Sequence, residues 1–183
     1  MKSLYVAPTA EVDPAAFQPV RECLAAHFPA PLRDLPLPSI EFAFDPARLQ
    51  YRSAEILEML ARLCPADALK LVAVTERDLF IPVLTFVFGH AQLGGRVAVI
   101  SLARLRQEFY GLPPAPDVLS ERARKEALHE TGHTFGLVHC SGHCAMSLSA
   151  NIQQIDRKPA AYCAACAARL ARAQGISPKE PHP

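Results

Sequence analysis

Neither sign of charge dominates this chain. Lysine and arginine number 19 against 18 aspartate and glutamate, a formal net charge of +1 over 183 residues. Nucleic acids and anionic lipids are recognised by concentrated positive charge, so this balance, with no long basic run, argues against both as partners. Long apolar runs are missing too: no stretch approaches the ~20 residues a helix needs to cross a bilayer. The N-terminal MKSLYVAPTAEVDP is a poor secretory signal, because Pro8 and then acidic residues break its apolar run. Internal repeats and low-complexity blocks are absent as well. What remains is the pattern of a soluble, cytoplasmic protein. Its 50% hydrophobic content is enough for one domain with a real core.

Strand and helix signals alternate along the chain. SLYVAP (3–8) reads as a strand. Residues 14–28 carry helical spacing in Phe17, Val20, Leu24 and Phe28, with Asp13-Pro14 as N-cap and first position. Pro19 leaves a later start at Gln18-Pro19 open. A proline-rich connector (29–38) precedes a weakly alternating strand at 40–44. Ser53 then caps a helix to Cys64 with Ile56, Leu57, Leu60 and Leu63 on one face. KLVAVTERDL (70–79) reads as a buried strand and charged turn. Short strands at 85–89 and 96–102 flank a Gly94-Gly95 turn. After Pro113, Pro114 and Pro116, Asp117 or Ser120 caps a long helix. The sum is an α/β protein whose mixed sheet has one antiparallel edge strand. It forms one domain over 1–174, followed by a disordered tail over 175–183.

The long helix carries the chemistry. His129-Glu130-Thr131-Gly132-His133 is H-E-x-x-H. Histidines four apart share a helix face and can reach one zinc, and the glutamate between them can polarise a water on it. Gly136 provides a turn that swings His139 back as a third ligand. The full H-E-x-x-H-x-x-G-x-x-H arises by chance in such a chain on the order of once in ten thousand. Three histidines leave one tetrahedral position for water, the mark of a catalytic zinc. Glu130 would take that water's proton and return it to the leaving nitrogen. Three histidines also suit iron, nickel or cobalt.

Of the six cysteines, Cys23 and Cys64 stand alone and read as buried small hydrophobes. Cys140-x3-Cys144 and Cys163-x2-Cys166 have zinc spacing and would close an all-thiolate, structural site. His143 is a spare donor that reads as an exposed loop residue. His139 and Cys140 are adjacent yet would serve different metals, since neighbouring side chains in an extended segment point opposite ways.

This elongated histidine pattern, followed by Met146, resembles the metzincin metallopeptidases. The cysteine arrangement, FVFGHAQLGGRVAVISLARLR (86–106), KEALHETGHTFGLVHC (125–140) and Asp156-Arg157-Lys158 resemble specifically the archaemetzincins. The resemblance implies a zincin-like mixed twisted sheet, an active-site helix and a small C-terminal zinc-stapled subdomain. It implies two Zn2+ per chain: a catalytic one on His129, His133 and His139, and a structural one on Cys140, Cys144, Cys163 and Cys166. It further implies Glu130 as general base, Met146 as the Met-turn residue beneath the histidines, and Phe86, Val87 and Phe88 on a substrate-binding edge strand. One departure is the Cys140–Cys144 loop, with three intervening residues where the family usually has four.

The leading function is therefore a monomeric zinc metallopeptidase acting on a peptide or small protein. Hydrolysis of another amide is the alternative within enzymes. A zinc-stabilised peptide-binding protein is the alternative outside them, but it has no need of Glu130. A zinc-ribbon nucleic-acid binder is disfavoured by the neutral charge.

Overall fold

The computed structural model describes residues 2–176. In chain order its elements are β1 (Ser3–Pro8), α1 (Pro14–His27), β2 (Leu32–Asp34), β3 (Phe44–Asp45), β4 (Gln50–Arg52), α2 (Ser53–Leu63), β5 (Ala68–Thr75) and β6 (Leu79–Phe80). Then follow β7 (Gly89–Ala91), β8 (Val97–Ser101), α3 (Pro116–Thr134), α4 (Ile152–Arg157) and α5 (Ala164–Ala173).

Five strands form the main sheet in the order β2-β1-β5-β8-β7. All neighbours are parallel except β7, which pairs antiparallel with β8. The mixed sheet with one antiparallel edge is thus as expected. Each central strand is buried on both faces, and its residues alternate between two cores. Leu4, Val6, Val72, Val74 and Ile100 pack with α1 and α3, while Tyr5, Ala7, Leu71, Ala73, Val97 and Val99 pack with α2.

Several elements differ from the sequence expectation. The proline-rich connector contains β2, which the sheet accommodates because it lies at the edge, where proline is tolerated. At 40–44, the Glu41 N–H bonds Ser39 Oγ and the chain makes a 3-10 turn over Glu41–Ala43 before β3. A local serine turn has won over extension there. That short β3 pairs in a second, three-stranded sheet, β3-β4-β6.

Ser53 opens α2 but does not cap it; its Oγ donates to the Phe80 carbonyl (3.0 Å) and lies 3.0 Å from His90 Nδ1. Asp13 does cap α1, accepting from Ala15 N–H. Neither Asp117 nor Ser120 caps α3: Pro116 is its first residue, a position where proline's fixed φ suits the helix. Ser120 Oγ instead donates to the Pro116 carbonyl.

The edge strand is displaced. It covers Gly89–Ala91, not 85–89, because β8 ends at Ser101, whose N–H meets the Phe88 carbonyl. Residues 85–87 have no length of β8 left to pair with, and Val87 bridges to Leu79 instead. At the other end, Gly175 (φ +70°) and Ile176 terminate α5 by bonding back to Arg172 and Ala171. The remainder of the expected tail, from 177 on, lies outside the described residues.

Candidate active site

The C-terminal half of α3 is buried on nearly all sides, from Lys125 through Gly132. It lies against the β7–β8 side of the sheet and brings His129 and His133 one turn apart. The helix then stops in a Schellman motif: Leu137 N–H bonds the Gly132 carbonyl and Gly136 N–H bonds the His133 carbonyl. Gly136 has φ +86°, a conformation that glycine adopts without strain. The reversal returns His139 to the first two histidines. Ligand atoms of His129, His133 and His139 all lie within 4.8 Å of one another.

Their orientation is set by backbone carbonyls. His129 Nδ1 lies 2.8 Å from the Ala145 carbonyl and His133 Nδ1 lies 2.7 Å from the Leu137 carbonyl. Each Nδ1 therefore carries the proton, and each Nε2 presents a lone pair inward. The two Nε2 atoms are 3.1 Å apart. Two lone pairs facing at that distance repel unless a cation or a proton sits between them. Burial pushes the His129 pKa down to about 4 and also lowers His133 and His139. Neutral imidazoles are what a metal requires, and the donor set fits zinc.

Glu130 sits beside this group, 5% exposed. Burial pushes its carboxyl well above the usual carboxylate range; the Glu126 carboxylate one turn earlier adds to the rise, and Lys158 opposes it. Gly89 of β7 makes room for it: a Cβ there would lie 2.5 Å from Glu130 Cγ. The helix and the edge strand thus touch through a glycine.

The cleft holding these groups measures about 690 Å³. The segment 84–91 forms one wall and residues 138–139 and 148–150 the other. Leu84, Leu93, Val138 and Leu148, each more than half exposed, stand around its mouth. Phe86, Val87 and Phe88 line it as expected, but they are not its free backbone edge. Val87 N–H is taken by Leu79 and the Phe88 carbonyl by Ser101. Phe88 and Gln92 both bond β8, so by alternation Gly89 and Ala91 turn their N–H and C=O groups outward.

Met146 is fully buried beneath α3. Its Sδ lies where a Cβ on Gly132 would come within 2.4 Å. Gly132, one of the two unspecified positions of H-E-x-x-H, is therefore a contact point that sequence reasoning missed. The sulfurs of Cys140, Cys144, Cys163 and Cys166 also gather within 4.8 Å. Met146 N–H and Cys163 N–H both point at Cys144 Sγ, at 3.4 and 3.3 Å. Such N–H···S contacts suit thiolates that ligate a metal. The shortened Cys140–Cys144 loop still brings both cysteines into the cluster, and His143 joins neither group; its Nε2 lies 3.0 Å from the Arg157 carbonyl.

A second missed feature is the pair Glu126–Lys158. Their charged atoms are 2.7 Å apart, each side chain is 3% exposed, and both line the cleft. They meet as an ion pair without the alignment of a hydrogen bond. Neighbouring contacts fix the segment that carries Lys158: Arg122 forks onto Asp156 and Lys125 Nζ reaches the Ile155 and Asp156 carbonyls.

Three convergent histidines and an adjoining enclosed glutamate in one cleft are the donor set of a zinc metallopeptidase. Comparison with known proteins narrows the class. The model of peptidase family M54 matches residues 37–172. Archaemetzincin from Methanocaldococcus jannaschii is 46% identical over 141 residues, covering 76% of this chain and 74% of that protein. The crystal structure of archaemetzincin from Methanopyrus kandleri superposes with a TM-score of 0.84 at 32% identity, covering 95% of this chain and 96% of that one. A zinc-dependent peptidase from Methanocorpusculum labreanum gives 0.82 at 31% identity, over 92% of this chain and 100% of that one. The chain belongs to peptidase family M54, the archaemetzincins.

Proposed function

We propose that this peptidase works with Glu130 as its proton carrier, His129, His133 and His139 as ligands of a catalytic zinc, and Cys140, Cys144, Cys163 and Cys166 as ligands of a second, structural zinc. The observation that carries the reading is the enclosed carboxyl of Glu130 beside three imidazoles whose free nitrogens converge. Zinc, when bound, supplies a Lewis acid that acidifies water and polarises the scissile carbonyl.

The chain's own groups do the rest. Glu130 accepts a proton from the attacking water at a carboxylate oxygen and passes it to the leaving nitrogen. A carboxyl raised by burial holds that proton more firmly than an exposed one, which suits transfer near neutral pH. Gly89 and Ala91 offer outward N–H and C=O groups to which an extended peptide adds as a further strand. Backbone pairing of this kind is tolerant of sequence, so selectivity falls to the apolar mouth formed by Leu84, Leu93, Val138 and Leu148.

Metal analysis with a peptide-library cleavage assay tests the proposal, with Glu130→Gln as control. Both proteins should carry two zinc ions, and the variant should cleave about 10²–10⁴-fold more slowly. A variant that hydrolyses peptides at the wild-type rate would overturn the assignment of Glu130.

A further inference from the structure

We infer that the cysteine-held metal governs the histidine-held one: filling the Cys140–Cys144–Cys163–Cys166 cluster preorganises His129 and His139 and so raises the affinity of the histidine site. The inference rests on the two-site reading above. It is tested by binding rather than turnover, so the two can fail separately.

Three connections carry it, all starting from the segment His139–Met146. The first is covalent. His139 is followed directly by Cys140, is exposed, and among the described residues no hydrogen bond holds its ring. Its placement depends on its backbone, which is held by the Cys140 N–H bond to the Met146 carbonyl (3.0 Å) and by whatever fixes Cys140 Sγ.

The second passes through Ala145. Its carbonyl orients the His129 ring, and it lies between Cys144 and Met146. Ala145 N–H bonds the Ala161 carbonyl (2.8 Å), two residues before Cys163. Cys144 Sγ meanwhile accepts from both Met146 N–H and Cys163 N–H. The carbonyl that sets the His129 tautomer is therefore suspended among cluster ligands.

The third is Met146, packed against Gly132, which lies between His129 and His133 and directly precedes the second.

Residues 138–151 form no helix or strand; besides these contacts the loop is held by the burial of Cys144, Ala145 and Met146 and by bonds at its exposed side, His143 to the Arg157 carbonyl and Ser147 Oγ to the Gly142 carbonyl. Four sulfurs gathered within 4.8 Å are bound to one point only by a cation; without it they keep weak contacts such as the 3.9 Å approach of Cys140 Sγ to Cys163 Sγ. Emptying the cluster therefore loosens the loop that presents His139 and the Ala145 carbonyl. His133 is spared, since its partner Leu137 belongs to the turn that ends α3. Groups that orient metal ligands are typically worth 10–100-fold in affinity.

Cobalt substitution separates the sites, because only the cysteine cluster gives a thiolate-to-cobalt charge-transfer band. Metal-free protein titrated with cobalt, and zinc-loaded protein competed with a chelating dye, give an affinity for each site. In Cys140→Ser, folding being checked by circular dichroism, the histidine site should weaken about 10–100-fold. A Cys140→His variant, which keeps four ligands, should restore it. Linkage is reciprocal, so loading the histidine site must tighten the cluster by the same factor, measured in wild type against His133→Ala. That last measurement decides the matter if Cys140→Ser does not fold. Histidine-site affinity within twofold of wild type when the cluster is empty, or cluster affinity indifferent to the histidine site, would refute the inference. So would a Cys140→His protein that fills its cluster and still binds weakly at the histidines.

Discussion

Gly132→Ala sets two ordinary expectations against each other. In a helix interior the change should stabilise by about 1 kcal/mol, since alanine is the better helix former. Here the new Cβ would lie 2.4 Å from Met146 Sδ and 3.3 Å from Met146 Cε and Tyr162 Cε1. Non-bonded carbon contacts need ~3.5–4.0 Å, so the methionine must retreat by roughly 1 Å. It is fully buried, and overfilling a packed site costs about 1–3 kcal/mol. The net effect on the metal-free fold lies between zero and a loss of about 2 kcal/mol, or up to ~8 °C in Tm for a chain of this size. The sharper consequence is for metal. Met146 follows Ala145, whose carbonyl holds His129, so displacing one displaces the other. Histidine-site affinity should fall about 10–100-fold, read by chelator competition. Met146→Ala alone should cost about 2–5 kcal/mol by leaving a cavity. Combined with Gly132→Ala it should cost less than the sum, because the added methyl enters vacated space. A Gly132→Ala protein that melts higher than wild type and binds zinc as tightly would refute the claim that Met146 supports the site through this glycine.

Other perturbations follow from the same geometry. Lys158→Met leaves the Glu126 carboxylate buried and unpaired, and should destabilise by about 3–5 kcal/mol; adding Glu126→Gln should recover most of that in a denaturant titration. Breaking the exposed Arg62–Glu58 pair should change stability by less than about 1 kcal/mol in the same assay. Lys70→Met removes the ammonium that bonds the Thr134 and Gly95 carbonyls at 2.5 and 2.6 Å, tying the end of α3 to the β7–β8 turn. Its loss should cost on the order of 3 kcal/mol by thermal unfolding. The raised carboxyl of Glu130 has two pH signatures. Activity should fall with acid as Glu130 is protonated, because the base must be ionised. The metal-free fold should lose stability as pH rises from the unfolded carboxyl's pKa through the folded one, a loss absent from Glu130→Gln.

The histidines and cysteines that converge were legible in the sequence, and the surfaces that hold them were not. Metal coordination demands particular residue types at particular spacings, so His129, His133, His139 and the cysteines announce themselves by identity. Gly136 belongs with them, since the turn it makes is local to its own segment. Element boundaries were harder because they are settled by competitors elsewhere in the chain: Ser39 turns the backbone at Glu41, and the end of β8 decides where β7 can begin. Harder still were Gly89 and Gly132. Each matters through an atom it lacks, and the atom that fills the space comes from another element: Glu130 in the first case and Met146 in the second. Glu126 and Lys158 share that difficulty, being ordinary surface residue types until the fold encloses them together. The opaque positions are contacts between α3 and its surroundings, and they set where the imidazoles and the carboxyl stand. The motif in the sequence therefore specifies which side chains converge. The pairwise contacts hidden from it set how those side chains are held, so Gly132→Ala should appear in metal affinity before it appears in the fold.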